Sequence, residues 1–330
     1  MDTKLVKEIC QVVSPSGHED AIRAFIEKEI KPYVDEVYSD ALGNLIAHKK
    51  ANGPKMMLAS HMDQIGLMVS HIDDEGFIRF ATIGGFSEYV LFNQRVVFPN
   101  GTVGVVRGER VDNMKTDYNM SKVYIDIAAK NKEEAQKKVK IGDVCVYKNE
   151  TYVDDNVVIS PALDDRIACY IQIEAAKRLK NLVYDTYFVF TVQEEMGLKG
   201  ARTSGFSVDP EFCIAFDVTS AADVPNALKL PQKMGEGACI KIKDASLICA
   251  PEMVNFMERV AKANNIKHQF EILTQGGTDS GAVQVSRAGV VAGVVSVATR
   301  NIHTDNEMCS VSDVDDCVLL TVKMLETAIR

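Results

Sequence analysis

The sequence has no tryptophan in 330 residues, which removes the side chain most expected in a sugar-stacking groove. It also has no C-x-x-C pair. Cys10, Cys145, Cys169, Cys213, Cys239, Cys249, Cys309 and Cys317 are scattered, several of them inside apolar segments. This excludes a zinc ribbon or a thioredoxin-like redox motif and leaves buried free thiols. No apolar run approaches the length of a membrane span, and the start MDTKLVKEIC lacks an h-region and a small-residue cleavage site. The expectation is a cytoplasmic protein with no membrane partner. Positive charge is in deficit, with 37 Lys and Arg against 46 Asp and Glu, a formal net charge of −9 and no basic stripe. A phosphate backbone would find nothing to neutralise it, so nucleic acid is excluded as a partner.

What is present is an ordinary globular composition, 46% hydrophobic and 25% charged, in a chain long enough for one large or two moderate domains around a sizeable core. Residues 19–34 put Ile22, Phe25, Ile26 and Ile30 on one helical face, and the apolar run 56–59 ends at Ser60 and His61, which reads as the opening of an α/β domain. From about 66 to 156 the texture changes to short alternating segments (FIRFATI, QRVVF, TVGVVRG, KVYIDIAA, DVCVY) separated by Gly, Asn and Asp, with helical spacing only over 131–138. That pattern predicts a small β-rich insertion. The α/β rhythm then resumes. Helices are expected over 166–179, 251–264 and 313–329, the last capped by Ser312 with Asp315 three residues on, and strands over 187–192, 212–216, 268–273 and 290–297. The division expected is therefore a discontinuous α/β domain of 1–66 and 157–330, with 67–156 inserted as a β-rich unit.

Residue types suited to metal binding and acid–base chemistry collect where the strand-like runs stop. His61 and Asp63 follow 56–59, Glu194 and Glu195 follow 187–192, Asp217 follows 212–216, and His303 comes shortly after 290–297. Open α/β sheets form their sites outside the carboxyl ends of the strands. Asp164 and Asp165 precede an expected helix and would by themselves read equally as a cap complementing its dipole. In His61-Met62-Asp63 the carboxylate two residues on lies on the same side of an extended chain and can accept the second imidazole N–H, fixing the tautomer of a metal ligand. The adjacent Glu194 and Glu195 are costly to hold together unless a cation or proton compensates them. Gly276-Gly277-Thr278-Asp279-Ser280 lacks the Lys of a phosphate loop and reads as a turn.

Taken in order, ASHMDQIG (59–66), ALDDR (162–166), VQEEMGLKGA (192–201), AFDVT (215–219), GGTDSGA (276–282) and RNIHTDNE (300–307) resemble the motifs of the M42 family of metallopeptidases. These are the glutamyl and tetrahedral aminopeptidases and their FrvX-like relatives, some of which carry an endoglucanase label. The resemblance spans essentially the whole chain. It implies a mixed-sheet α/β/α metallopeptidase domain with an inserted small β-barrel-like domain, and an aminopeptidase with two divalent metal ions, zinc or cobalt. By position, His61, Asp164 and Asp217 would hold one ion and Asp164, Glu195 and His303 the other, with Asp164 bridging. Glu194 would be the general base and Asp63 would orient His61. A cis peptide bond would precede Asp165, and residues 276–279 would lie near the substrate. The family also implies peptide substrates and self-association, from dimers up to hollow dodecamers, through the β-rich insertion. The sequence departs from the usual motifs at Gln64, Asn301 and Asp305, none of which is an expected ligand.

The residue chemistry agrees with that division, since borderline cations suit mixed imidazole and carboxylate donors and two of them about 3.5 Å apart need a shared oxygen ligand. Two other classes are weighed against it. Glycoside hydrolysis would use the many carboxylates, but needs an acid and a nucleophile about 5 Å or more apart across a sugar, with no call for imidazole ligands. A non-catalytic scaffold with a degenerate site would be expected to lack a ligand or the base, and every one is present.

Overall fold

The computed structural model describes residues 1–113 and 117–330. Strands that precede residue 62 and follow residue 151 form one 11-stranded mixed sheet. Across the sheet the order is Glu36–Ser39, Leu45–Lys49, Asp185–Thr191, Lys55–His61, Phe212–Ser220, Val291–Arg300, Glu307–Ser310, Val157–Ser160 and Tyr152–Val153. Ala238–Lys243 and His268–Ile272 branch from Val291–Arg300. The four central strands, Asp185–Thr191 to Val291–Arg300, are mutually parallel, with Thr191 opposite His61 and Ala59 opposite Ala215.

Their near-continuous apolar sequences follow from burial on both faces. In Lys55–His61, Met56 and Leu58 enter one core while Met57 and Ala59 enter the other, and Phe188 and Phe190 are likewise divided from Val189. One face is covered by the helices Thr3–Cys10, Asp20–Ile30, Leu163–Arg178, Pro251–Ala263 and Val311–Leu325. The other is covered by the shorter Lys199–Val208 and Asp279–Gln284, through Ala201, Val208, Ala282 and Val283. The expected α/β/α layering is thus present. All eight cysteines are buried, and none is in a disulfide. Among the described residues, no helix is long and apolar enough to cross a membrane.

Between Lys55–His61 and Tyr152–Val153 the chain forms a closed antiparallel barrel of six strands: Gly66–Ile72, Ile78–Ile83, Val123–Asp126, Val103–Gly108, Arg95–Val97 and Val144–Tyr147. Its core is separate and includes Leu67, Val69, Ile78, Val96, Val106 and Ile125. Closure leaves no free ladder edge. The helical spacing at 131–138 resolves to a single turn and a half, Lys132–Gln136, capped by the Asn131 side chain.

Two local expectations differ. The last helix begins at Val311, with Ser310 at its N-cap and no side-chain capping bond. Ser312 Oγ bonds Ser310 Oγ instead, and the Asp313 carboxylate accepts the N–H groups of Gly235 and Gly237, drawn away by tertiary contacts. The stretch read as a turn at 276–280 runs from Asp279 into a short helix, Asp279–Gln284, whose apolar Ala282 and Val283 pack under the sheet.

Candidate active site

The carboxyl ends of the parallel strands converge on one cavity of about 420 Å³. Its walls include His61, Asp164, Glu194, Glu195, Asp217 and His303. His61 is the last residue of its strand and Asp217 sits within Phe212–Ser220. Glu194 and Glu195 lie in the turn that follows Asp185–Thr191, and His303 lies in the loop after Val291–Arg300. Asp164 enters at the kinked start of Leu163–Arg178, where the Asp164–Asp165 peptide is cis, as the family resemblance implies.

Asp164 is central. Its Oδ1 lies 2.9 Å from His61 Nε2 and its Oδ2 lies 3.3 Å from His303 Nε2. His303 Nε2 also lies 3.1 Å from Glu195 Oε1. Donor atoms of His61, Asp164 and Asp217 lie within 4.8 Å of one another, as do those of Asp164, Glu195 and His303. A third such group, His61, Glu194 and Glu195, overlaps them. Glu194 stands farther back, its Oε2 3.9 Å from His61 Nε2.

The backbone around the cluster is strained. Ala162, Gln193, Leu198, Asn301 and His303 all have left-handed φ between 53° and 64°. Non-glycine residues in that region cost free energy, and such strain gathers where side chains must be aimed. Several carboxylates aim it. Asp63, fully buried, accepts the N–H of Glu194 (3.1 Å) and of Glu195 (3.3 Å) and the Ser16 hydroxyl (2.6 Å). The His61 Nδ1 side faces Asp63 as well, with the backbone carbonyl at 3.2 Å nearer than the carboxylate at 3.5 Å. Glu307 accepts the N–H of Asp164 (2.9 Å) and of His303 (2.8 Å), so one buried carboxylate places two residues of the cluster. Glu307 was not singled out from the sequence; its lone signal is a Glu four residues beyond His303, outside any helix that would give that spacing meaning.

Electrostatics describe a site short of positive charge. Burial, and then the negative neighbours Asp217 and Glu195, push Glu194 well above the usual carboxylate range, although His61 opposes this. Burial and Asp164 do the same to Asp217. Asp164 goes the other way: burial disfavours its charge, but hydrogen bonds from His303 and His61 outweigh it and hold the carboxyl low. The imidazoles mirror this. Burial lowers His303, yet Asp164 and Glu195 raise it to about 11, and Glu194 and Asp164 likewise raise His61 against its burial. Protons on the imidazoles thus do the compensating that cations could do. The donors are imidazole and carboxylate only, within reach of two centres that share Asp164, and they fit a pair of borderline divalent ions.

A mixed sheet with such a cluster at the ends of its parallel strands defines a hydrolytic enzyme of the α/β class, and comparison with known proteins narrows that class. Residues 43–320 match the M42 glutamyl aminopeptidase family. A protein of Acetivibrio thermocellus named "Putative aminopeptidase" is 46% identical over 322 residues, 97% of each chain. Aminopeptidase APDkam598 from the archaeon Desulfurococcus kamchatkensis superposes with a TM-score of 0.94 at 34% identity, covering 98% of this chain and 94% of that one. The Pyrococcus horikoshii TET1 peptidase, which can assemble into a tetrahedron or a large octahedral shell, does so with 0.88 at 31% identity, covering 98% and 99%. The chain belongs to the M42 glutamyl aminopeptidase family and is a peptide hydrolase.

Proposed function

We propose that this protein is a dinuclear metal-dependent aminopeptidase that removes N-terminal residues from short peptides in the cytoplasm. The observation that carries the reading is Asp164, whose two oxygens face two different imidazoles while Asp217 and Glu195 complete a three-residue donor set on either side. His61, Asp164 and Asp217 would hold one ion and Asp164, Glu195 and His303 the other, zinc or cobalt by donor chemistry. When bound, the pair would supply Lewis-acid polarisation of the scissile carbonyl and lower the pKa of an attacking water.

The chain's own residues do the rest. Glu194 stands back from the shared carboxylate and faces the cavity. As general base it takes the proton from the attacking water, and as the resulting acid it returns that proton to the leaving amine. Asp63 presents an acceptor side to His61 Nδ1, which leaves Nε2 free to act as a ligand, and it fixes the turn carrying Glu194 and Glu195. Gly276, Gly277 and Thr278 wall the cavity where the substrate backbone would lie.

We also propose that the chain self-associates, from dimers up to dodecamers, with the unit 67–156 making subunit contacts. The shell-forming TET1 peptidase supports this by similarity. A glycoside hydrolase reading is weaker, because Asp164 and Glu195 face imidazoles that such chemistry does not need.

The test is hydrolysis of leucyl p-nitroanilide and of a short peptide with zinc or cobalt, with and without chelator, beside N-acetylated controls. Chelator-sensitive release from free N-termini alone is expected. Chelator-resistant turnover, or equal cleavage of blocked peptides, contradicts the reading.

A further inference from the structure

We infer that Glu19 is a positioning residue for the catalytic turn, part of an N-terminal bracket that aims Glu194 and Glu195 from outside the sheet. The inference rests on the aminopeptidase reading above.

Three consecutive N–H groups at the end of Asp185–Thr191 are held by carboxylates from elsewhere in the chain. Gln193 donates to Glu19 Oε1 (3.1 Å), Glu194 to Asp63 Oδ1 (3.1 Å) and Glu195 to Asp63 Oδ2 (3.3 Å). Gln193 has φ of 53°, a left-handed conformation that a residue with a side chain rarely adopts unless its surroundings impose it. Reversing direction at Gln193 sends both following carboxylates into the cavity. A relaxed φ would point them elsewhere.

Glu19 is fixed in turn. It is buried at the N-cap of Asp20–Ile30, and its Oε1 also accepts the Gly17 N–H at 2.7 Å. The same short segment supplies Ser16, whose hydroxyl bonds Asp63 at 2.6 Å. Arg166, fully buried two residues after Asp164, anchors the segment from behind by donating to the carbonyls of Ile9, Val12 and Ser14. Residues 14–19 therefore connect the helix Leu163–Arg178 with the turn that carries the base. None of them lines the cavity. Glu19 acts through the backbone of Gln193, not on substrate.

The test compares three variants at saturating zinc or cobalt on leucyl p-nitroanilide. Glu19→Gln keeps an oxygen that can accept both N–H groups. Glu19→Asp keeps the charge but withdraws the acceptor by one methylene, and Glu19→Ala removes it. Displacing reacting groups by about 1 Å costs up to about a hundredfold in rate. The expected kcat is within about threefold of wild type for Gln and lower by at least tenfold for Asp and Ala, with KM within about twofold throughout. If the Ala protein does not fold, the Asp-to-Gln ratio decides alone. Equal kcat in the Asp and Gln proteins overturns the inference, as does a loss confined to KM or to melting temperature. Absence of any wild-type turnover would instead refute the aminopeptidase reading, so the two failures are distinguishable.

Discussion

Replacing Glu194 by Gln exchanges one oxygen for an amide nitrogen and leaves shape and burial nearly unchanged, so its effect reports basicity. General-base catalysis contributes about 10² to 10⁴ in rate, or about 3 to 5 kcal/mol of barrier. Glu194 Oε2 is 3.9 Å from the nearest imidazole nitrogen, whereas Asp164 and Glu195 approach to 2.9 and 3.1 Å. The two donor sets that share Asp164 do not include it. The expected outcome for Glu194→Gln is therefore a kcat at least about a hundredfold lower with metal content unchanged, read by steady-state kinetics on leucyl p-nitroanilide beside elemental analysis. A kcat within tenfold of wild type refutes the base assignment. Loss of bound metal refutes it differently, by making Glu194 a ligand in the overlapping set of His61, Glu194 and Glu195.

Metal loading should release protons, because Asp164 and Glu195 raise His303 to about 11 against its burial and Glu194 and Asp164 shift His61 in the same direction, whereas an imidazole must be neutral to bind. Affinity should rise about tenfold per pH unit for each proton displaced between about pH 6 and 8, and calorimetry in buffers of different ionisation enthalpy counts them; a pH-independent affinity contradicts this. Leucyl substrates should exceed glutamyl ones in kcat/KM by at least about tenfold, since burying an unpaired carboxylate is costly. The one Lys or Arg lining the cavity among the described residues, Lys241, is already held by Glu271 at 2.8 Å and Asp244 at 3.3 Å, so a glutamyl preference would count against this. Arg166→Met should cost at least about 3 kcal/mol by leaving the carbonyls of Ile9, Val12 and Ser14 unpaired, seen as a lower urea midpoint; a change under about 0.5 kcal/mol would show them satisfied otherwise.

The strands and the residues that gather at the cavity were legible in the sequence for the same reason. A strand buried on both faces must be an apolar run, and a functional side chain at its end interrupts that run, which is how His61, Glu194, Glu195 and Asp217 stand out. Asp164 could not be told from a helix cap, because its meaning comes from two imidazoles 103 and 139 residues away along the chain, facing its separate oxygens. The strand Ala238–Lys243 was hidden by Lys241 and Lys243, the former a buried cation that only Glu271 and Asp244 make tolerable. Glu19 and Glu307 act through backbone N–H groups of distant residues, and Ser16 acts through its hydroxyl on the Asp63 carboxylate, interactions that leave no mark on residue type or spacing.

Titration of the metal-stripped protein with zinc, followed for bound ion and for leucyl p-nitroanilide hydrolysis together, bears most directly on the proposal of a dinuclear site. Two equivalents per chain are predicted, with full activity only when both sites are filled. Saturation at one equivalent, or activity that persists in the stripped protein, would contradict a centre bridged by Asp164.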